Sequence, residues 1–332
     1  MMQKFSNPAK ILEPVTIALR NNQSIKVLPF HLLPSGTHKE VTYCEIFNTL
    51  PESVTEVVES STGNSAIAAA LYAKHLSLPI TVFLPQGTAE MKIEKLRHLG
   101  AKIELTPRAE YTTGARKRAQ TYAEESVSRY LLNQAANPAN YLSHRAVAHK
   151  LAMVNRFVCA GGTYGTIRGF SEYFAESFTI NQPKEQPTHS TKIFVIELDA
   201  APHLYNRKLN IATLWRDHKI PGLAPSSLPL HAEKAPIDAA FLVTEQQAEE
   251  IFAAAIRCEL NIGKTSAINL AVARRMADDA PKDAIIGTVT CDNVDRYDIP
   301  KSVAFDFSSD RLQAFLNSQV VASLPLTCEF LR

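Results

Sequence analysis

Val54-Thr55-Glu56-Val57-Val58-Glu59-Ser60-Ser61-Thr62-Gly63-Asn64-Ser65-Ala66-Ile67-Ala68-Ala69-Ala70-Leu71 changes its period midway. β-Branched residues dominate 54–58, which suits a pleated, buried strand. Small hydroxyl residues and Gly63 follow, and from Ser65 onward apolar residues take up helical spacing among good helix formers. A strand that passes through a short turn into an amphipathic helix is the repeating unit of a parallel α/β sheet. The pattern predicts a strand over 54–59 and a helix over 65–76.

The same grammar runs along the chain. Strands are expected over 79–84, 101–105, 130–132, 156–159, 192–197, 239–243 and 284–289. Helices are expected over 88–99, 114–129, 143–154, 164–174, 245–258 and 265–277. Gly100 sits where a helix end wants a residue tolerant of positive φ. Residues 181–190, rich in Gln, Pro and Thr, read as a surface loop. Parallel sheets place ligands beyond the carboxyl ends of their strands, so chemistry is to be sought in the strand-to-helix turns.

At 332 residues the chain exceeds a single core, and two α/β lobes sharing a cleft are expected. Lys and Arg total 35 against 33 Asp and Glu, a net charge of +2, with no basic stripe to bind nucleic acid. No stretch reaches the roughly 18 apolar residues a membrane helix needs, and 1–11 lacks a signal-peptide core. A cytoplasmic setting and a small-molecule partner follow as expectations. Five scattered cysteines with no C-x-x-C signal neither a metal site nor a disulfide framework.

Three segments could carry chemistry. The turn Ser60 to Ser65 lies at a helix start, where backbone N–H groups and partial positive charge receive a carboxylate, although the same residues also serve as a plain N-cap. Cys159-Ala160-Gly161-Gly162-Thr163-Tyr164-Gly165-Thr166 is a second strand-to-helix turn, open either to a single phosphate or to tight helix packing. It lacks the patterns of a P-loop or a dinucleotide site. In Leu33-Pro34-Ser35-Gly36-Thr37-His38-Lys39-Glu40, Lys39 is either solvated or a pocket amine able to attack an aldehyde. An amine, a phosphate cradle and a carboxylate cradle together match pyridoxal phosphate plus an amino acid. His31 and His38 read as structural, Cys159 and Cys291 as small buried hydrophobes, and Trp215 as packing.

The order and spacing of these pieces resembles the fold-type II pyridoxal-phosphate family, specifically the cysteine synthase and cystathionine β-synthase group, over about residues 14–297. Pro34 to Glu40 is similar to N-P-T-G-S-x-K-D-R, which implies Lys39 as the Schiff-base lysine. Ser61-Thr62-Gly63-Asn64-Ser65 resembles T-S-G-N-T, which implies Ser61, Thr62, Gly63 and Ser65 at the substrate carboxylate and Asn64 at the cofactor 3′-oxygen. Asn133-Gln134-Ala135-Ala136-Asn137-Pro138-Ala139-Asn140 resembles N-Q-F-x-N-P-A-N, and Gln134 becomes a second carboxylate contact. Cys159, Ala160, Gly161, Gly162 and Thr163 fall where the family has its G-T-G-G-T phosphate cradle. The segment His218 to Ala224, with Gly222 at the substrate entrance, resembles H-K-I-Q-G-I-G, and Gly263 to Ala267 resembles G-I-S-S-G. Cys291 to Tyr297 resembles P-S-S-G-E-R-Y, and Asn293 takes the place of the serine facing the pyridine nitrogen.

The resemblance implies two parallel-sheet α/β lobes of the tryptophan synthase β-subunit-like kind, pyridoxal 5′-phosphate as cofactor, an amino-acid substrate and a homodimer. Residues 1–40 and 143–332 would form the larger, cofactor-binding lobe, and 41–142 a smaller mobile lobe carrying the carboxylate-binding loop. The implied reaction is β-replacement on an O-activated serine. The alternatives are β- or γ-elimination of the serine/threonine dehydratase or threonine synthase type, and a weakly catalytic binding or regulatory protein. Departures from the family pattern are Leu33 for Asn, Val41 for Arg, Ala66, Ala224 and Ala267 for Gly, Ala160 for Thr and Pro221 for Gln. A neutral Asn293 would leave the pyridine nitrogen largely unprotonated.

Overall fold

Two sheets organise the chain in the computed structural model, which describes residues 5–61, 63–180, 191–220, 222–299 and 303–331. Thr62, Pro221 and the loop expected over 181–190 lie outside the described residues. An antiparallel pair, β1 (Val15–Ala18) and β2 (Ser24–Leu28), leads to helix α1 (Lys39–Asn48). The first sheet is built from β3 (Glu56–Glu59), α2 (Asn64–His75), β4 (Ile80–Pro85), α3 (Glu90–His98), β5 (Lys102–Thr106), α4 (Tyr111–Glu124) and β6 (Arg129–Leu131). Its strands lie parallel in the order β5-β4-β3-β6.

Helix α5 (Ala139–Val147) returns the chain to the second sheet through β7 (Arg156–Ala160), α6 (Gly165–Ile180), β8 (Lys192–Leu198), α7 (His203–Lys208) and α8 (Leu230–Lys234). It continues with β9 (Ala239–Val243), α9 (Glu245–Arg257), α10 (Lys264–Asp278) and β10 (Ile285–Val289). The chain closes with α11 (Ser309–Leu316), α12 (Gln319–Ala322) and β11 (Thr327–Phe330). The strand order is β1-β2-β10-β7-β8-β9-β11, with five parallel strands inside and antiparallel strands at both edges.

Local sequence explains most boundaries. Thr244 caps α9 reciprocally with Gln247. Gly100, at φ +87°, stops α3 in the left-handed conformation expected of it. The helix expected over 114–129 begins at Tyr111 and stops at Glu124, because Arg129 is drawn into β6 and pairs with Glu56 at 2.9 Å. The helix expected over 143–154 starts at Ala139 and tightens to a 3-10 turn over Ala148–Leu151. Strands β1, β2 and β11 were not expected.

Both faces of the larger sheet are buried, one under α9 and α10, the other under α6 with Phe157 stacked on Phe170 at 4.7 Å. The smaller sheet buries Val57 and Val82 against α2, and α1 adds Tyr43, Ile46 and Phe47 to that core. Each such side chain contributes about 1.5–3 kcal/mol by leaving water. In each sheet the order reverses at one strand, β3 in the first and β7 in the second. Crevices open at such points. Among the described residues no helix is long and apolar enough to cross a membrane.

Candidate active site

A cavity of about 600 Å³ lies where the turns after β3, β6, β7 and β10 meet, and Lys39 stands in it. Lys39 is the first residue of α1, and its turn is fastened to the end of β10: Thr37 bridges to Asp292, and the His38 amide donates to the Cys291 carbonyl at 2.8 Å. Lys39 Nζ lies 3.4 Å from Thr163 Oγ1. Burial lowers the lysine's pKa from 10.5 to about 8, against the opposing pull of Cys291, Cys159 and Glu59. The amine can therefore lose its proton near neutral pH, as a nucleophile or base must. His38 is held to about 3 by burial and by Lys39, so it stays neutral.

The turn between β7 and α6 is tight. The amides of Ala160 and Gly161 are engaged by Asn269 Oδ1 at 2.9 Å and the Ile196 carbonyl at 2.9 Å. Those of residues 162–167 donate to no acceptor among the described residues. A Cβ on Gly161 would run into the Tyr164 ring, and one on Gly162 into the Gly222 carbonyl. Tyr164 adopts φ +62° and is fixed by a 2.6 Å hydrogen bond from its hydroxyl to Glu197. This turn presents a row of unpaired N–H groups at a helix start, the chemistry of a phosphate cradle.

The turn between β3 and α2 is open. Nothing lies within 4 Å of where a Cβ on Gly63 would stand. Gln134 Nε2 donates to Ser65 Oγ, while Gln134 Oε1 is buried without a partner. At its base Glu59, 2% exposed, accepts from Tyr43 and from the Ser60 amide, and burial raises its pKa.

Of the residues singled out from sequence, Lys39, Ser61, Gly63, Asn64, Ser65, Gln134, Cys159, Ala160, Gly162, Thr163 and Gly222 line the one cavity. Gly161 supports the turn from behind, and Thr62 lies outside the described residues.

Asn293 stands apart from these residues. It does not line the cavity: its amide packs on Gly36 and donates to Asp295 at 3.3 Å. Its neighbour Asp292, 5% exposed, lines the cavity instead and accepts from Asn64 Nδ2 at 2.8 Å and from Tyr297 at 3.3 Å. Successive residues of extended chain point to opposite sides, so a shift of one exchanges an amide for a carboxylate.

Sequence reasoning also passed over two polar hubs. Asn140 Nδ2 donates to Thr163 Oγ1 at 3.0 Å and to the Gln134 carbonyl at 2.8 Å, and its Oδ1 accepts from Thr42 at 3.1 Å. His144 reaches Thr166 at 3.2 Å and Thr42 at 3.4 Å. Asn140 belongs to the quoted N-P-A-N string and could have been flagged from it; His144 had no such signal. Ala224, standing for a family glycine, takes φ +50°, a conformation costing an L-residue about 1–2 kcal/mol. The thiols of Cys159 and Cys291 both lie at the cavity floor, bridged by Asn269 Nδ2 at 3.7 and 3.8 Å.

The residues fit pyridoxal phosphate: free amides and a hydroxyl where a phosphate would lie, a desolvated lysine for the aldehyde, and Asp292 Oδ1 buried without a partner. The sequence profile of the pyridoxal-phosphate dependent enzymes matches residues 29–292. A probable cysteine synthase of Bacillus subtilis is 24% identical over 279 residues, 80% of this chain and 85% of the relative. An O-acetylserine dependent cystathionine beta-synthase of the same organism is 26% identical over 248 residues, 73% of this chain and 75% of the relative. Among solved structures, the O-acetylserine dependent cystathionine beta-synthase of Helicobacter pylori superposes with a TM-score of 0.74 at 23% identity, covering 89% of this chain and 98% of that one. The cysteine synthase of Entamoeba histolytica gives 0.75 at 18% identity, covering 96% and 97%. The two-lobed parallel fold expected from sequence is the fold of these structures.

Proposed function

Because the chain belongs to the pyridoxal-phosphate dependent enzyme family, we propose that it catalyses β-replacement on an O-activated serine, with Lys39 as the cofactor lysine. The observation that carries this reading is the meeting of a buried amine of lowered pKa with one tight and one open helix-start turn in a single cavity. Bound there, pyridoxal phosphate supplies an electron sink for bond breaking at the substrate's α-carbon.

The chain's own residues do the rest. The amides of 162–167 and the Thr163 hydroxyl, steadied by Asn140, hold the phosphate. Asn64 and Asp292, joined by a 2.8 Å hydrogen bond, would hold the ring with an amide and a carboxylate. The start of α2, with Ser61, Gly63, Ser65 and Gln134, receives the substrate carboxylate, and the family pattern adds Thr62 to that set. Lys39 Nζ takes the α-proton once it is free. Closure of residues 41–142 over the bound carboxylate excludes water. A homodimer in the cytoplasm completes the reading, supported by family resemblance and by five cysteines of which none is paired.

The test has a spectroscopic arm and a chemical arm. Purified protein given pyridoxal phosphate should develop the visible absorption of the lysine-bound cofactor, and Lys39→Ala should abolish it. Capture of the cofactor by apo-protein should quicken as pH rises through about 8, because the amine is then losing the proton that blocks attack. With O-acetylserine, O-phosphoserine or serine plus sulfide, cysteine should form; pyruvate alone would instead establish elimination. If no visible band forms and Lys39→Ala changes nothing, the enzyme reading is lost.

A further inference from the structure

The lining of the cavity carries positive charge that the proposed carboxylate site does not use. Arg296 closes the 3-10 turn Val294–Arg296 beyond β10 and is 9% exposed. It donates once, to the Ser35 carbonyl, and leaves Nε and Nη1 buried with no acceptor. Buried guanidinium donors without an acceptor are expensive, and an anion is what satisfies them. Lys92 and Lys95, three residues apart on α3, line the same cavity from the other sheet, and after burial it is Arg296 that most depresses the pKa of Lys95. Lys92 feels it too, against the pull of Asp292.

Asp292 and Asp295 stand near enough to offset part of this charge, but neither is paired with it. None of the three cations forms an ion pair within 4.0 Å among the described residues. Asp292 is held by Asn64 and Tyr297, and its free Oδ1 faces Gly263. Asp295 accepts from Asn293.

We infer that Arg296, Lys92 and Lys95 form a second anion subsite, which takes a negatively charged group on the reactant at the substrate's β-carbon. This rests on the β-replacement reading. There the α-carboxylate is fixed at the start of α2, while the leaving group departs and the nucleophile arrives through the mouth. The departing group takes the C–O electron pair. The nucleophile brings the pair for the new bond and gives up its proton. One cluster of cations then serves either a phosphate ester on the serine or a carboxylate on an incoming thiol or amine.

The cofactor-loaded protein is the right sample, because its phosphate cradle is already filled. Inorganic phosphate should bind it saturably by calorimetry, and Lys92→Gln/Lys95→Gln should weaken that binding about tenfold or more. Arg296→Gln should do the same with its melting temperature checked alongside; the lysine pair keeps the test valid should that variant misfold. Titration with O-phosphoserine against O-acetylserine reads the leaving-group source, and cysteine against 2-aminoethanethiol reads the nucleophile source. A preference for the anionic member of either pair that collapses in the lysine variant supports the subsite and says which reactant uses it. If phosphate does not bind saturably, or both preferences are unchanged in the variants while O-acetylserine still reacts, the subsite is overturned and the reaction stands. Lysine-dependent phosphate binding in a protein that turns over no O-activated serine supports the subsite and removes the reaction.

Discussion

The turn after β3 and the turn after β7 are built alike and behave as opposites. Each leads from a strand at the reversal point of its sheet into a helix. After β7 the glycines are enclosed: Gly162 lies against the Gly222 carbonyl and Gly161 against Tyr164, whose φ of +62° is held in place by Glu197. After β3, Gly63 faces empty space. Strain and close packing suit a group that stays, because the backbone need not move to hold it. Open space suits a group that comes and goes. On the proposed reading, the resident phosphate belongs to the turn after β7 and the transient carboxylate to the turn after β3.

The strongest way to break this contrast is Gly162→Ala. The added methyl must push the entrance segment at Gly222 away from the cradle, an overpacking change of about 1–3 kcal/mol. Cofactor affinity should fall about tenfold to a hundredfold, measured by the visible absorption retained after dialysis. Retention at the original level would mean that the turn's tightness has nothing to do with the cofactor.

The contrast was only partly legible in the sequence. Both turns could be found, because each is contiguous and changes period within a dozen residues. Their different tightness could not, because Gly222 and Glu197 come from distant parts of the chain. The same holds for His144, whose partners Thr42 and Thr166 are 102 and 22 residues away. At Asn293 a different limit applies: the motif is found in the right place, but one residue along an extended segment decides which side chain lines the cavity, and Asp292 does. Strands β1, β2 and β11 escaped notice because strands of four or five residues carry little periodicity.

A smaller effect sharpens the assignment of the open turn. Gln134 approaches Ser65 from the β6 side and has an unpaired Oε1. Gln134→Ala removes a donor to a charged group, worth about 1.5–3 kcal/mol. The KM for the amino-acid substrate should rise about tenfold or more, with the cofactor's absorption and retention unchanged. Loss of cofactor in this variant would merge the two turns into one site.

Gly63→Ala should have the smallest effect and makes the cleanest counterpart to Gly162→Ala. Glycine is at neither position for positive φ, since Gly63 sits at φ −139°. The two substitutions therefore add the same methyl and differ only in what it meets: a carbonyl in one case, open cavity in the other. For Gly63→Ala the melting temperature should shift by the equivalent of less than about 1 kcal/mol, and cofactor retention should not change. Any cost should appear only when substrate is present, as a several-fold rise in KM, because the methyl occupies space that the carboxylate needs. An equal loss of cofactor in the two variants would show that the difference in enclosure between the turns does not separate their ligands.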